Sequence, residues 1–234
     1  MIEPVEQLSA YSLVVDRLRR AIHLGTFGPG DRLPSERDLA QQLGVSRMTV
    51  REAIRVLQTQ GYVESRRGAT GGLVVIAKQL QGEHLKTQLR DEWKHFEDVL
   101  DLRIANERAV ARLAAARRDE EDLRKLEESV DQMRSSENLW QFRKADSTFH
   151  LAVAGAAKNS LLAKAVEDGR AAMFLPLEPL EYEISVMELL EAHPKILDAI
   201  EKQDSDRADD VMTAHLKTTR QRLAAVLGLG GNRY

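Results

Sequence analysis

Ser35-Glu36-Arg37-Asp38-Leu39-Ala40-Gln41-Gln42-Leu43-Gly44-Val45-Ser46-Arg47-Met48-Thr49-Val50-Arg51 carries two helix starts separated by one tight turn, and that spacing decides the fold of the N-terminal region. Ser35 with Asp38 three residues on has the form of a capping box, so a helix opens there. Leu39, Ala40 and Leu43 give it an apolar stripe, and Gly44 suits its C-terminal turn. Ser46 caps a second helix, on which Val50, Ala53, Ile54 and Leu57 fall at the i, i+3, i+4, i+7 positions of one buried face.

The opposite side of that second helix is cationic. Arg47, Arg51 and Arg55 recur every fourth residue and form a slowly drifting stripe, with Thr49 close to the helix start. An arginine stripe alone is better explained by a solvated face. Here it is followed by Tyr62-Val63-Glu64-Ser65, the basic and glycine-rich Arg66-Arg67-Gly68-Ala69-Thr70-Gly71-Gly72, and Leu73-Val74-Val75-Ile76, which read as strand, basic loop and strand. An earlier helix with Val14, Leu18, Ala21 and Ile22 on one face, ending at Gly28-Pro29-Gly30-Asp31, supplies the rest of a small core. Three helices and a hairpin make a winged helix-turn-helix, and the basic second helix is placed to read a DNA groove.

Composition bounds the remainder. The 234 residues are enough for two domains, and 43% hydrophobic residues suffice for globular cores. No run approaches the roughly 18 apolar residues of a membrane span, and the N-terminus lacks a signal-peptide pattern, so a cytoplasmic protein with no membrane partner is expected. The absence of cysteine excludes disulfides, thiolate metal sites and thiol nucleophiles. The net charge of −3 is unevenly spread: residues 1–77 carry +2 and the remainder −5. A local basic surface is what one DNA-binding domain joined to a domain of different purpose would show.

The boundary falls near Ala77–Glu83, giving a winged domain over 1–77 and a second domain over 78–234. Beyond it the pattern is helical throughout, with candidate helices at Phe96–Arg117, Glu120–Arg134, Leu139–Ala157, Leu161–Ala172, Ile184–Leu190, Pro194–Glu201 and Ser205–Leu227. Leu175-Pro176-Leu177-Glu178-Pro179-Leu180 must be a loop. The expected fold class is mainly α, a winged helix-turn-helix joined to an all-α helical bundle. In that bundle Asp146 and His150 stand one helical turn apart, His215 shares a stripe with Val211, Met212, Leu216 and Thr219, and Pro194 places His193 at a helix start. Each of these is, singly, more often a core or surface residue than a ligand.

The run Pro29-Gly30-Asp31-Arg32-Leu33-Pro34-Ser35-Glu36-Arg37-Asp38-Leu39-Ala40, with Gly44-Val45-Ser46-Arg47-Met48-Thr49-Val50-Arg51-Glu52-Ala53, resembles the N-terminal domain of GntR-family bacterial transcription regulators. The resemblance implies DNA contacts from Arg37, Ser46, Arg47, Thr49 and Arg51, with Arg67 and Gly68 at the wing tip in the minor groove. The second domain resembles the all-helical FCD-type effector domain of the FadR subfamily, in which an Asp, a His one turn on and two further His hold a divalent metal. That assigns Asp146, His150, His193 and His215 as ligands of zinc, or of nickel or another divalent ion. It also places Arg103 and Asn159 beside an effector, with a salt bridge to Glu107 as the competing explanation for Arg103.

The function so implied is a homodimeric regulator, a repressor rather than an activator, binding a palindromic double-stranded operator under control of a small organic acid. No residue is assigned a catalytic role. Two alternatives stay open: a metal-free pocket for an acyl ligand, and a metalloenzyme domain carried by a DNA-targeting winged helix.

Overall fold

The computed structural model describes residues 9–67, 72–76, 87, 90–173 and 190–229. The chain divides into two compact units, Met1–Lys78 and Gln79–Tyr234. Gly68, the loop at 175–180, the stretch 77–83 and all but Leu190 of the expected helix at 184–190 lie outside the described residues.

In the first unit α1 spans Ala10–His23, α2 Glu36–Leu43 and α3 Arg47–Thr59, followed by β1 at Val63–Arg66 and β2 at Gly72–Val75. The caps fall where the side chains demand. Ser35 Oγ accepts from the Asp38 amide at 3.3 Å and donates to the Asp38 carboxylate at 2.6 Å. Ser46 Oγ accepts from the Thr49 amide at 3.1 Å. Between them Gly44 takes φ +67, a left-handed conformation that costs glycine nothing and turns the chain from α2 into α3.

Val14, Leu18 and Ile22 of α1 bury against Val50, Ala53, Ile54 and Leu57 of α3, and Leu39, Val63 and Val75 close the core. The strands pair antiparallel from Val63↔Val75 to Arg66↔Gly72. Two features depart from the sequence expectation. α1 stops at His23, not at Gly28–Asp31, because Gly25 at φ +81 ends the helix and Thr26 N–H returns to Ala21 C=O at 2.8 Å. The freed segment then runs beside β2, with Leu33 N–H on Leu73 C=O and Val75 N–H on Asp31 C=O, both at 2.9 Å, so the hairpin gains a third edge.

The described part of the second unit contains helices and no strand. α4 is Trp93–Arg117, α5 Glu120–Arg134, α6 Leu139–Ala156, α7 Ser160–Ala172, α8 Ala192–Glu201 and α9 Ser205–Val226. α4 runs along α9 and also touches α6, α7 and α8. Its Val110, Ala111, Ala114 and Ala115 meet Leu126, Val130 and Met133 of α5, Phe149 and Val153 of α6, Ile196 and Ile200 of α8, and Met212 and Leu216 of α9 in one core. The small alanines let a long helix sit close to several partners at once. α4 begins three residues before the expected Phe96, with Phe96 itself buried at 4% exposure. No helix among the described residues is long and apolar enough to cross a membrane.

Candidate metal centre and nucleic-acid interface

Asp146 and His150, one turn apart on α6, face His193 in the first turn of α8 and His215 in the middle of α9. One ligand atom from each of the four lies within 4.8 Å of the others. His193 Nε2 is 3.0 Å and His150 Nε2 3.6 Å from Asp146 Oδ1. The His193 and His215 rings lie 4.7 Å apart, and Phe149 packs edge-on to His193 at 5.0 Å. All three histidines are buried, while the Asp146 side chain keeps 24% exposure, so the cluster is reached from the Asp146 side.

Pro194 does not keep His193 out of the helix. It sits at the third position of α8, where an amide N–H has no intrahelical partner, so its missing donor is not needed there. α8 therefore starts two residues earlier than Pro194 suggested, and His193 is wholly buried.

A second layer surrounds the four. Glu107 of α4, itself fully buried, brings Oε2 to 2.5 Å from His150 Nδ1 and accepts from Arg103 Nε through Oε1 at 2.7 Å. A carboxylate this close to Nδ1 favours the tautomer with its proton there, which leaves Nε2 as a bare lone pair, although the contact lacks hydrogen-bond alignment. That Nε2 is buried and has no hydrogen-bond partner among the described residues. An orphaned buried acceptor facing an acid and two more imidazoles is the donor set of a borderline divalent cation. The residues fit the metal.

Arg170 of α7 completes the layer, donating to Asp146 Oδ2 at 2.5 Å and to Ser147 Oγ at 3.2 Å. Burial alone would push the Glu107 and Asp146 carboxyls up, but the cations outweigh it. Arg103 and Arg170, with the close contact from His150 Nδ1, hold Glu107 well below the usual carboxylate range, and Arg170 does the same for Asp146. Burial drives His215 in the opposite sense, well below the ordinary 6.5 of a histidine, and its neighbours His193 and His150 add to this. His215 is thus a neutral imidazole, as a metal ligand must be.

That shift carries a stability prediction for the metal-free protein. Below about pH 6.5 the unfolded chain protonates His215 and the folded chain does not, so folding stability falls as pH falls, by up to about 1.4 kcal/mol per unit from this group. The Glu107 and Asp146 carboxylates titrate in the folded state far lower and add their loss only below about pH 4. Denaturant unfolding at pH 7.0 and 5.5 should show that loss in the wild type, and a His215→Gln variant should lack it.

Arg103 is buried and points inward, paired with Glu107, while among the described residues its NH1 donates to the Met173 thioether at 3.2 Å. Asn159 caps α7, its Oδ1 accepting from Leu161 and Leu162 amides at 3.1 Å. Sequence reading gave Glu107 only as a salt-bridge partner of Arg103, and it did not single out Arg170. The available signal for Arg170 was its place on the stripe Leu162, Val166, Arg170, a lone cation on an apolar helix face.

On the first unit Arg47 projects exposed from the start of α3 beside Ser46 and Thr49, whose hydroxyl oxygens lie 2.9 Å apart. Arg51, also exposed, is held by Glu36 of α2, its NH2 donating at 2.8 Å. Arg55 pairs with Glu52 at 2.6 Å and Arg37 with Asp38 at 3.5 Å. Arg67 is exposed just beyond β1. The basic face therefore combines an open arginine with arginines oriented by local acids.

Comparison with known proteins gives two family matches: "Bacterial regulatory proteins, gntR family" over residues 10–72 and "FCD domain" over residues 98–218. The putative L-lactate dehydrogenase operon regulatory protein of Escherichia coli (strain K12) is 34% identical over 220 residues, covering 87% of this chain and 82% of that protein. The HTH-type transcriptional regulator LutR of Bacillus subtilis (strain 168) is 31% identical, covering 82% and 91%. Among solved structures, E. coli McbR/YncC shares the fold with a TM-score of 0.58 at 20% identity, covering 96% of this chain and 100% of that one. The helix-turn-helix with its hairpin, the helical second unit and these relatives together make the chain a DNA-binding transcription regulator of the bacterial gntR family with an FCD domain.

Proposed function

We propose that the chain is a homodimeric repressor whose affinity for a palindromic operator is set by a small carboxylate bound beside a divalent metal, zinc or a related ion, in the helical unit. The carrying observation is the four-residue cluster with its buried, unpartnered His150 Nε2. Asp146, His150, His193 and His215 would hold the ion, and the ion would supply a Lewis-acidic anchor for a carboxylate. Arg103 supports the effector reading, since a buried guanidinium half-used by Glu107 has donors left for an acid. A relative named for an L-lactate dehydrogenase operon, whose enzyme acts on a small carboxylate, favours the same class. Asn159 enters through its cap, which fixes the start of α7.

In the first unit Arg37, Ser46, Arg47, Thr49, Arg51 and the wing residues Arg67 and Gly68 would contact DNA. Arg47, exposed and next to the α3 N-terminus, is the base reader, and Arg55 meets phosphate. Arg47→Ala should weaken operator binding by about 1 to 3 kcal/mol and relax specificity, whereas Arg55→Ala should mainly lower the salt slope. Fluorescence anisotropy on operator and random DNA across a salt series separates these. Equal losses on both DNAs for Arg47→Ala would remove it as a base reader. Repeating the titration with zinc-loaded protein and a panel of organic acids tests the whole proposal: by linkage, an acid that releases the operator must bind the DNA-free protein more tightly. No effect of any acid on a metal-loaded complex would count against acid control.

A further inference from the structure

Resting on the metal-site reading above, we infer that the effector is a dianion, with one carboxylate at the metal and a second anionic group held by Arg170. The argument begins with buried charge. Among the described residues the cluster holds two guanidinium groups, Arg103 and Arg170, and two carboxylates, Glu107 and Asp146. These balance. A divalent ion bound by Asp146 and three neutral imidazoles adds two positive charges to a site whose histidines and Glu107 are withdrawn from water. An uncompensated buried charge is costly, and a dianion restores neutrality where a monoanion leaves one charge over.

The second group has a place to bind. Arg170 is only 9% exposed, and its NH2 is taken by Asp146 Oδ2 and Ser147 Oγ. Its Nε and NH1 are buried and have no hydrogen-bond partner among the described residues; NH1 stands 3.9 Å from Glu107 Oε2, beyond hydrogen-bond reach. Buried donors in native proteins are nearly always satisfied, so two idle nitrogens on one buried guanidinium mark a missing acceptor. Arg103 flanks the same carboxylate from the other side with its NH1 on a thioether, a weak acceptor. Gly169 favours this convergence: a Cβ there would stand 3.2 Å from Arg103 Cγ, so any larger residue would require the Arg103 side chain to give by a few tenths of an ångström.

Calorimetric titration of the zinc-loaded, full-length protein with L-malate and L-lactate tests this, since the two acids differ by one carboxylate in place of one hydrogen; malonate, succinate and tartrate extend the dianions. The expected result is binding of at least one dianion tenfold or more tighter than L-lactate. Arg170→Gln should cut that preference to threefold or less with zinc stoichiometry retained, and Arg170→Lys should recover part of it. Lactate binding as tightly as the best dianion, or no dianion binding to protein that holds zinc, would overturn the inference and leave the metal centre standing. Failure of the wild type to hold zinc would instead remove the metal reading on which it rests.

Discussion

Zinc supplied at about a thousand times its dissociation constant should stabilise the metal-free protein by about 4 kcal/mol, since an ion that binds only the folded state shifts the equilibrium by that logarithm. For a unit of this size the thermal midpoint should rise by about 10 °C. The candidate ligands come from α6, α8 and α9, distant in sequence, so the unfolded chain cannot assemble them and the binding energy would go into the fold. His150→Ala and His215→Ala should lose the shift, because removing a direct ligand exceeds the roughly 10- to 100-fold loss typical of outer-layer changes. Scanning calorimetry with and without chelator is sufficient. A zinc-dependent shift equal in both variants would place the ion elsewhere.

Removing Glu107 should be the most damaging single change to the metal-free protein. Its carboxylate is wholly buried and faces Arg103, His150 and, more distantly, Arg170. A buried pair contributes little against an apolar replacement of both partners, yet deleting one partner leaves the other charge stranded, at about 3 to 5 kcal/mol. Glu107→Ala is therefore expected to cost that amount in denaturant unfolding without metal, and to lower zinc affinity by about 10- to 100-fold through loss of the His150 tautomer lock. A cost under about 1 kcal/mol would mean that water or rearrangement already satisfies Arg103. Comparing Glu107→Gln separates charge from shape, since the amide keeps an acceptor for Arg103.

The metal cluster and the elements that carry it also show where sequence reading reaches and where it stops. Local signals are strong: a serine three residues before an acid or a threonine fixes where α2 and α3 begin, and the 3.6-residue apolar period fixes α5 at Glu120–Arg134. Asp146 and His150 shared a face by spacing alone. Their meeting with His193 and His215 is tertiary, and periodicity carries no information about which helices become neighbours; the family resemblance supplied that step. Pro194 misled the start of α8 because the rule against helix before proline is weaker than the pull of burying His193 and Ile196. Gly28–Asp31 misled the end of α1 because Gly25 was available first. The third edge beside β2 is made by backbone groups of Asp31 and Leu33, which leave no side-chain period to read. Arg170 was overlooked because a cation on an apolar stripe acquires meaning only from what stands opposite it.

An anomalous-scattering map of zinc-loaded crystals tests the four-residue centre most directly. One peak per chain, within bonding reach of Asp146, His150, His193 and His215 and lost when zinc is withheld, is the expected result. A chain that binds no divalent ion after reloading, or a peak away from these side chains, would contradict it and leave the histidines as packed core residues.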